Sequence, residues 1–162
     1  IKYIQNAVGS VPSPFDCYLL IRSIKTLAVR MEKHNYNALQ IANYLTNHNK
    51  INKVFYPGLK DDKNHEIAKK QMNGFSGIVS IDLKGDINST IKFLENIKIF
   101  TLAESLGGVE SLIEHPAIMT HASIDKKVRD ELGISDTLIR LSIGIEDIED
   151  LKEALDNALN LI

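Results

Sequence analysis

From residue 51 onward, short strand-like patterns alternate with helical ones, and this alternation most constrains the fold. Strands are expected at residues 51–56, 77–83, 99–102 and 137–143. Helices are expected at residues 64–71, 87–97 and 147–161. Because the connections are too short for a doubly wound nucleotide-binding sheet, the sequence predicts an α+β sandwich, a small sheet with helices on one face.

A long helical pattern precedes these elements, from residue 14 to about residue 48. Ser13 is expected to cap its N-terminus, and Pro14 suits the first helical position. The pattern is longer than a usual globular helix, which allows a break near Ser23 or Thr26. A helix of this length entering an α/β region often connects two domains.

The residues before Pro14 are interpreted as a short, turn-rich stretch. The chain starts at Ile1 without a methionine or a signal-peptide pattern, so a fragment or a processed chain is expected. A single cysteine, Cys17, excludes an internal disulfide and suits a reducing, cytoplasmic compartment. The net charge of −2 gives no electrostatic reason to expect nucleic acid or a membrane surface as partner.

Residues 103–123 have no sustained period, and connections of this length are usually functional or disordered. Their apolar content argues against disorder, so this segment is the first place to look for a site. Gly107 and Gly108 could cradle a phosphate, but the longer phosphate-binding patterns are missing, and a plain turn is favoured. His115 and His121, near Glu114, lack the four-residue spacing of helical zinc ligands, so no metal site is predicted.

Two charged residues have alternative interpretations. Glu104 is either a surface charge or the partner of a cationic ligand group. Arg140 lies within the last strand pattern, on the same face as Leu138 and Ser142. A guanidinium between apolar neighbours needs a partner, and an internal carboxylate is favoured over a substrate carboxylate on the residue pattern alone.

Several blocks together resemble the γ-family of Cys/Met-metabolism enzymes. They run in the family's order across nearly the whole chain: VPSPFDCYL, then Tyr56-Pro57-Gly58-Leu59, TLAESLGGVESLIEHPAIMTHAS and LGISDTLIRLSIGIEDIEDL. The resemblance implies a pyridoxal-phosphate enzyme of fold type I, and a homotetramer that acts on a small amino-acid substrate. It implies γ-elimination of cystathionine to cysteine, 2-oxobutanoate and ammonia, with γ-replacement or methionine cleavage as the alternatives.

The same resemblance divides the chain into residues 1–13, the end of a large cofactor domain, residues 14–48, a connecting helix, and residues 49–162, a small C-terminal domain. The family's Schiff-base lysine belongs to an upstream Ser-x-Thr-Lys motif, which this sequence lacks. Neither Lys2 nor Lys25 has that context. No catalytic residue is therefore expected here, and the chain alone is expected to be inactive.

Four substrate-binding residues follow from the resemblance. Arg140 matches the arginine that binds the substrate α-carboxylate, and Ser105 matches a serine near the substrate and the cofactor lysine. Glu104 matches the residue that selects substrates with a polar distal group, and Thr120 matches a threonine near the substrate. The alternative from another class is a non-enzymatic module that binds a ligand or a partner.

Overall fold

Three helices occupy most of the first 46 residues of the computed structural model, which describes residues 1–162. They are α1 (Lys2–Val8), α2 (Pro14–Ile24) and α3 (Leu27–Thr46). The turn-rich interpretation of the residues before Pro14 is wrong, because α1 fills most of them. That helix ends at Gly9, whose φ of 74° is the left-handed conformation that terminates many helices.

The predicted long helix is interrupted, as its length allowed. The hydroxyl of Ser13 accepts the backbone N–H of Asp16 at 3.1 Å, which caps the start of α2. The break between α2 and α3 follows Ser23, whose carbonyl accepts the hydroxyl of Thr26 at 3.1 Å and Nη2 of Arg30 at 2.9 Å. These side-chain donors add to the backbone N–H of Thr26, which bonds the same carbonyl at 3.2 Å at the end of the helix.

The chain forms two compact units, Ile1–Arg30 and Met31–Ile162. No side chain of α1 or α2 is buried, and the hydrophobic core lies entirely in the second unit. The division at residues 13 and 48 stays a prediction. None of the helices is both long enough and apolar enough to cross a membrane.

A five-stranded sheet organises the second unit. Its strands are β1 (Ile51–Phe55), β2 (Ile78–Leu83), β3 (Thr101–Leu102), β4 (Leu112–Glu114) and β5 (Leu138–Ser142). They lie in the order β1-β2-β5-β4-β3, with every neighbouring pair antiparallel except β3 and β4. The remaining helices are α4 (His65–Gln71), α5 (Ile87–Asn96), α6 (Lys126–Glu131) and α7 (Ile148–Leu159).

Alternation along the strands separates an apolar inner face from an outer face that carries the polar residues of the sheet. Val79, Ile81, Ile139 and Leu141 are fully buried on the inner face. They share one core with α3, α5 and α7, which supply Ile41, Leu45, Phe93, Leu151 and Leu155. The outer face carries the alternate residues of β2, β4 and β5. The α+β fold, with helices on one face of a small sheet, is confirmed.

Besides α1, two further elements have no counterpart in the sequence analysis. Strand β4 lies inside residues 103–123, where three strand residues are too few to establish a period. Helix α6 has six residues, starts after Asp125 and buries none of its side chains, so it has no apolar stripe to detect. The first of these matters for function, because β4 lies next to β5 and its candidate residue.

Candidate functional site

Arg140 and Glu114 face each other across neighbouring strands on the outer face of the sheet. The register pairs Glu114 of β4 directly with Arg140 of β5. Nη1 of Arg140 lies 2.6 Å from Oε2 of Glu114, whose side chain is only 1% exposed. The arginine side chain is 21% exposed, so the pair is buried on one side and reachable from the other. An internal carboxylate is therefore one partner of Arg140, as the residue pattern alone had favoured.

The other terminal nitrogen of Arg140 contacts the main chain. Nη2 donates to the carbonyl of Glu104 at 2.7 Å and to that of Ser105 at 3.1 Å. Nε is buried and has no hydrogen-bond partner. Since a guanidinium carries five N–H donors, Arg140 is held by protein contacts without using its full capacity.

The loop of residues 103–111, hereafter the Glu104 loop, is attached to β5 and to the turn after it. The backbone N–H of Gly107 donates to the hydroxyl of Ser142 at 2.8 Å. The carboxylate of Glu146 accepts the backbone N–H and the hydroxyl of Ser111, at 2.6 and 2.9 Å. These three hydrogen bonds hold the loop over the outer face, close to Arg140.

Two glycines have specific tasks in this attachment. Gly107 has a φ of 78°, which favours glycine, and its N–H is already bonded, so the turn interpretation describes it better than a phosphate cradle. A Cβ on Gly144 would lie 2.3 Å from the carbonyl oxygen of Val109 and 2.7 Å from the backbone nitrogen of Ser111. Only glycine therefore allows the turn after β5 to approach the loop so closely.

Thr120 reaches the site through Glu114. Its hydroxyl donates to Oε1 of Glu114 at 2.5 Å and lies 2.8 Å from Nδ1 of His121. A hydroxyl has one proton and a carboxylate only accepts, so that proton belongs to the bond with Glu114. His121 must then donate its Nδ1–H to Thr120. Glu114 accepts from Thr120 on one carboxylate oxygen and from Arg140 on the other, so the four side chains form one connected series.

His115 serves the fold and not this cluster. It is fully buried, and Nε2 lies 2.9 Å from the carbonyl oxygen of Asp136, to which it must donate. Burial lowers the pKa of His115, so the neutral ring is favoured. No group of three or more His, Cys, Asp or Glu side chains is placed to hold a metal ion.

All four residues expected from the sequence lie around one point of the outer face. Glu104 and Ser105 meet Arg140 through their carbonyls, and both residues are exposed. Thr120 is connected through Glu114. Sequence reasoning missed Glu114 as the partner of Arg140. The signal that could have found it, the pairing of β4 with β5, requires a strand register that the sequence does not provide.

The sequence is similar to a family of known enzymes. The model of the Cys/Met metabolism PLP-dependent enzymes matches residues 1–160. A cystathionine gamma-lyase of Dictyostelium discoideum is 58% identical over 160 residues, 99% of this chain and 41% of the relative. A cystathionine beta-lyase of Coxiella burnetii is 57% identical over 159 residues, 98% of this chain and 41% of the relative.

A solved structure of a related protein has the same fold over nearly the whole chain. The crystal structure of metB from Corynebacterium glutamicum superposes with a TM-score of 0.89 at 48% identity, covering 98% of this chain and 40% of that one. The chain thus spans about two fifths of the length of the proteins it matches. The chain belongs to the family of pyridoxal-phosphate-dependent enzymes of Cys/Met metabolism.

Proposed function

We propose that this chain is the C-terminal, substrate-orienting part of a carbon–sulfur lyase that acts on cystathionine. The expected reaction is γ-elimination, which gives cysteine, 2-oxobutanoate and ammonia. The observation that carries the proposal is the half-open position of Arg140, fixed on its inner side by Glu114 and by the Glu104 loop. In this proposal residues 1–13 end a large domain, residues 14–48 connect, and residues 49–162 form the small domain of a homotetramer.

Arg140 is proposed to bind the α-carboxylate of the substrate. A planar guanidinium matches a carboxylate in geometry and keeps its charge at all relevant pH values. Its protein partners hold the side chain in place before any ligand arrives, and such preorganisation reduces the entropy lost on binding. The role in turnover is to orient the amino acid.

Glu104 and Ser105 are proposed to face the remaining parts of the substrate. The carboxylate of Glu104 has no hydrogen-bond partner in the chain and lies on an exposed residue, so it can meet the distal ammonium group of cystathionine. Ser105 offers a hydroxyl beside the same loop carbonyls. Both positions are set by main-chain contacts to Arg140, which ties the distal contact to the carboxylate contact.

Pyridoxal phosphate is the cofactor of the family, and when bound it serves as an electron sink. The residues present do not form a cradle for it. The cluster around Arg140 contains no lysine, one arginine nitrogen pairs with Glu114, and the N–H of Gly107 is bonded to Ser142. We therefore assign cofactor binding to residues beyond this chain and derive no chemical step through the cofactor.

A second candidate is β-elimination of the same substrate, which a relative named cystathionine beta-lyase favours at 57% identity. Cystathionine γ-synthase and methionine γ-lyase activities are further alternatives within the enzyme class. A non-enzymatic binding module is the alternative outside it, and a Ser-x-Thr-Lys segment encoded upstream would exclude that alternative.

Product analysis on the full-length protein tests the reaction. With cystathionine as substrate, γ-elimination releases 2-oxobutanoate and cysteine, whereas β-elimination releases pyruvate and homocysteine. We expect 2-oxobutanoate as the main oxo acid. Predominant pyruvate would replace the proposal with the β-lyase, and turnover only of an O-acylated homoserine with cysteine would replace it with the synthase.

Arg140→Ala in the full-length protein should lower kcat/KM by at least about tenfold, since a charged hydrogen bond contributes roughly 1.5–3 kcal/mol. It should also destabilise the fold, because it leaves the buried Glu114 without its cation, at a cost of about 3 kcal/mol. Arg140→Lys keeps a charge near Glu114 and is the matched control for stability. It should recover much of the melting temperature but little kcat/KM, because a point charge cannot replace the fork.

The two readouts separate binding from structure. A folded Arg140→Ala variant that retains near-normal kcat/KM would remove the substrate assignment and leave Arg140 with a structural role only.

A further inference from the structure

We propose that Thr120 and Glu114 are positioning residues, and that Thr120 acts on substrate recognition only through Glu114. This inference rests on the proposed binding of an α-carboxylate by Arg140. It places Thr120 on the carboxylate oxygen of Glu114 that Arg140 does not use. The residue is exposed, but its hydroxyl is occupied by this protein carboxylate. Glu114 in turn sets the direction in which Arg140 presents its guanidinium.

The side chain of Glu114 is constrained on every side that the structure describes. Its strand position opposite Arg140 is fixed by the register of β4 and β5, and its side chain is 1% exposed. One carboxylate oxygen contacts Nη1 of Arg140, and the other accepts the hydroxyl of Thr120. Rotating this buried carboxylate would leave an oxygen without its present partner, which costs free energy.

The contact from Thr120 is the part of this series that can be removed without changing charge. At 2.5 Å the O–H···O⁻ distance is that of a strong, charge-assisted hydrogen bond. Without it, one oxygen of this buried carboxylate loses its hydrogen-bond donor. Because an unsatisfied buried acceptor is costly, we expect the carboxylate to rotate toward another donor. Arg140 is drawn with it, because its Nη1 is held by the same carboxylate. Only the two loop carbonyls that accept Nη2 oppose the movement, since Nε has no partner.

Charge and geometry must be separated in the test. Removing the negative charge of Glu114 would by itself favour a second carboxylate at Arg140, because the two carboxylates repel each other. Loss of position would oppose that gain. The sign of a Glu114→Gln effect is therefore uninformative, whereas Thr120→Val leaves every charge in place and changes only the hydrogen bond.

The measured quantity is the preference of the full-length holoprotein for L-norleucine over L-norleucinamide, the ratio of their dissociation constants by calorimetry. The two probes differ only at the group that Arg140 is proposed to bind. We expect Thr120→Val to reduce this ratio by about fivefold to tenfold. This is less than the loss of a direct charged hydrogen bond would give, since Thr120 acts through Glu114. Thr120→Ser, which keeps the hydroxyl, should restore it.

Asp82→Asn is the structural control on the same face of the sheet, because Asp82 has no contact with Arg140. In this variant the ratio of dissociation constants should stay at the wild-type value.

A double-mutant cycle tests whether Thr120 acts through Glu114. In a Glu114→Gln background, Thr120→Val should change the ratio less than twofold, because the acceptor of its bond has lost its charge. A full Thr120→Val effect in that background overturns the inference and places Thr120 on the substrate itself. An unchanged ratio in the single variant overturns it as well. If Arg140→Ala leaves the ratio unchanged, the proposed function fails; if only the Thr120 variants do so, the inference fails alone.

Discussion

Glu104 presents its main chain to Arg140 and its side chain to solvent. The carbonyl accepts Nη2 at 2.7 Å, while the carboxylate makes no hydrogen bond or ion pair. The backbone of this residue therefore has a structural role that its side chain does not share. A substitution can remove the charge without disturbing the position of the arginine.

Glu104→Val should accordingly lower kcat/KM of the full-length protein for cystathionine more than for methionine, whose side chain carries no distal charge. The free energy of unfolding should change by no more than about 0.5 kcal/mol, as for other exposed substitutions. Steady-state kinetics with both substrates on one preparation measures the difference. Equal losses for the two substrates would contradict a role in substrate choice.

Individual residues differed in how well the sequence could predict them. The face of Arg140 followed from period two, and its need for a partner followed from the cost of burying charge. The identity of that partner did not, because Glu114 belongs to a strand of three residues, and only the register brings it opposite Arg140. The roles of Gly144 and Glu146 depend on a close approach of two loops, which no local pattern encodes.

At the scale of elements, Asp82 joins three consecutive strands of the sheet. It lies in β2 and accepts the side chains of Asn52 in β1 at 2.6 Å and of Thr137, just before β5, at 2.6 Å. Ser135 adds a third hydrogen bond at 2.8 Å. Burial alone would raise the pKa of Asp82, but these hydrogen bonds outweigh it and lower the pKa below its usual value.

This arrangement predicts a stability difference that depends on pH. Because the pKa is lower in the folded state than the value of about 3.9 in the unfolded state, the charged form stabilises the fold above that value. The stabilisation is lost as pH falls through the folded pKa. The melting temperature of Asp82→Asn should lie furthest below wild type near pH 7 and approach it below about pH 4. Asp61→Asn, at an exposed aspartate, is the control; a gap that stays constant with pH would contradict the assignment.

The longer elements were predictable, and the short ones were not. Helix α7 and strands β2 and β5 have clear periods and buried stripes, and their predicted limits differ from the structure by few residues. Helix α1 was missed because its seven residues bury nothing, so only Gly9 at its end carries a signal. Strand β4, with three residues, is defined by its neighbours β3 and β5.

At the scale of the whole molecule, the candidate site belongs to one unit of the chain. Arg140, Glu114, Thr120 and the Glu104 loop all lie in Met31–Ile162, together with the hydrophobic core. This unit supplies Arg140, which is proposed to bind a carboxylate, a loop above it and residues that support both. That set contains no lysine.

The 162-residue chain mixed with pyridoxal phosphate should therefore show no absorbance band that persists through gel filtration. The reason is that the cluster has no amine to hold the cofactor covalently, and the expected Ser-x-Thr-Lys motif is missing from the chain. The full-length protein, treated in the same way, is the positive control. A stoichiometric band that disappears when one lysine is replaced would show that this chain binds the cofactor itself.

The parallel pairing of β3 and β4 has a consequence for the size of the site. Neighbouring strands lie about 5 Å apart, whereas nine residues can extend to roughly 30 Å. The nine residues 103–111 between these strands are thus far longer than the gap they bridge. The loop is longer than its end points require, so its length does not determine its position. Its hydrogen bonds to Arg140, Ser142 and Glu146 fix its height above the sheet. Insertions or deletions in this loop can therefore widen or narrow the space over Arg140 while the strand register stays the same.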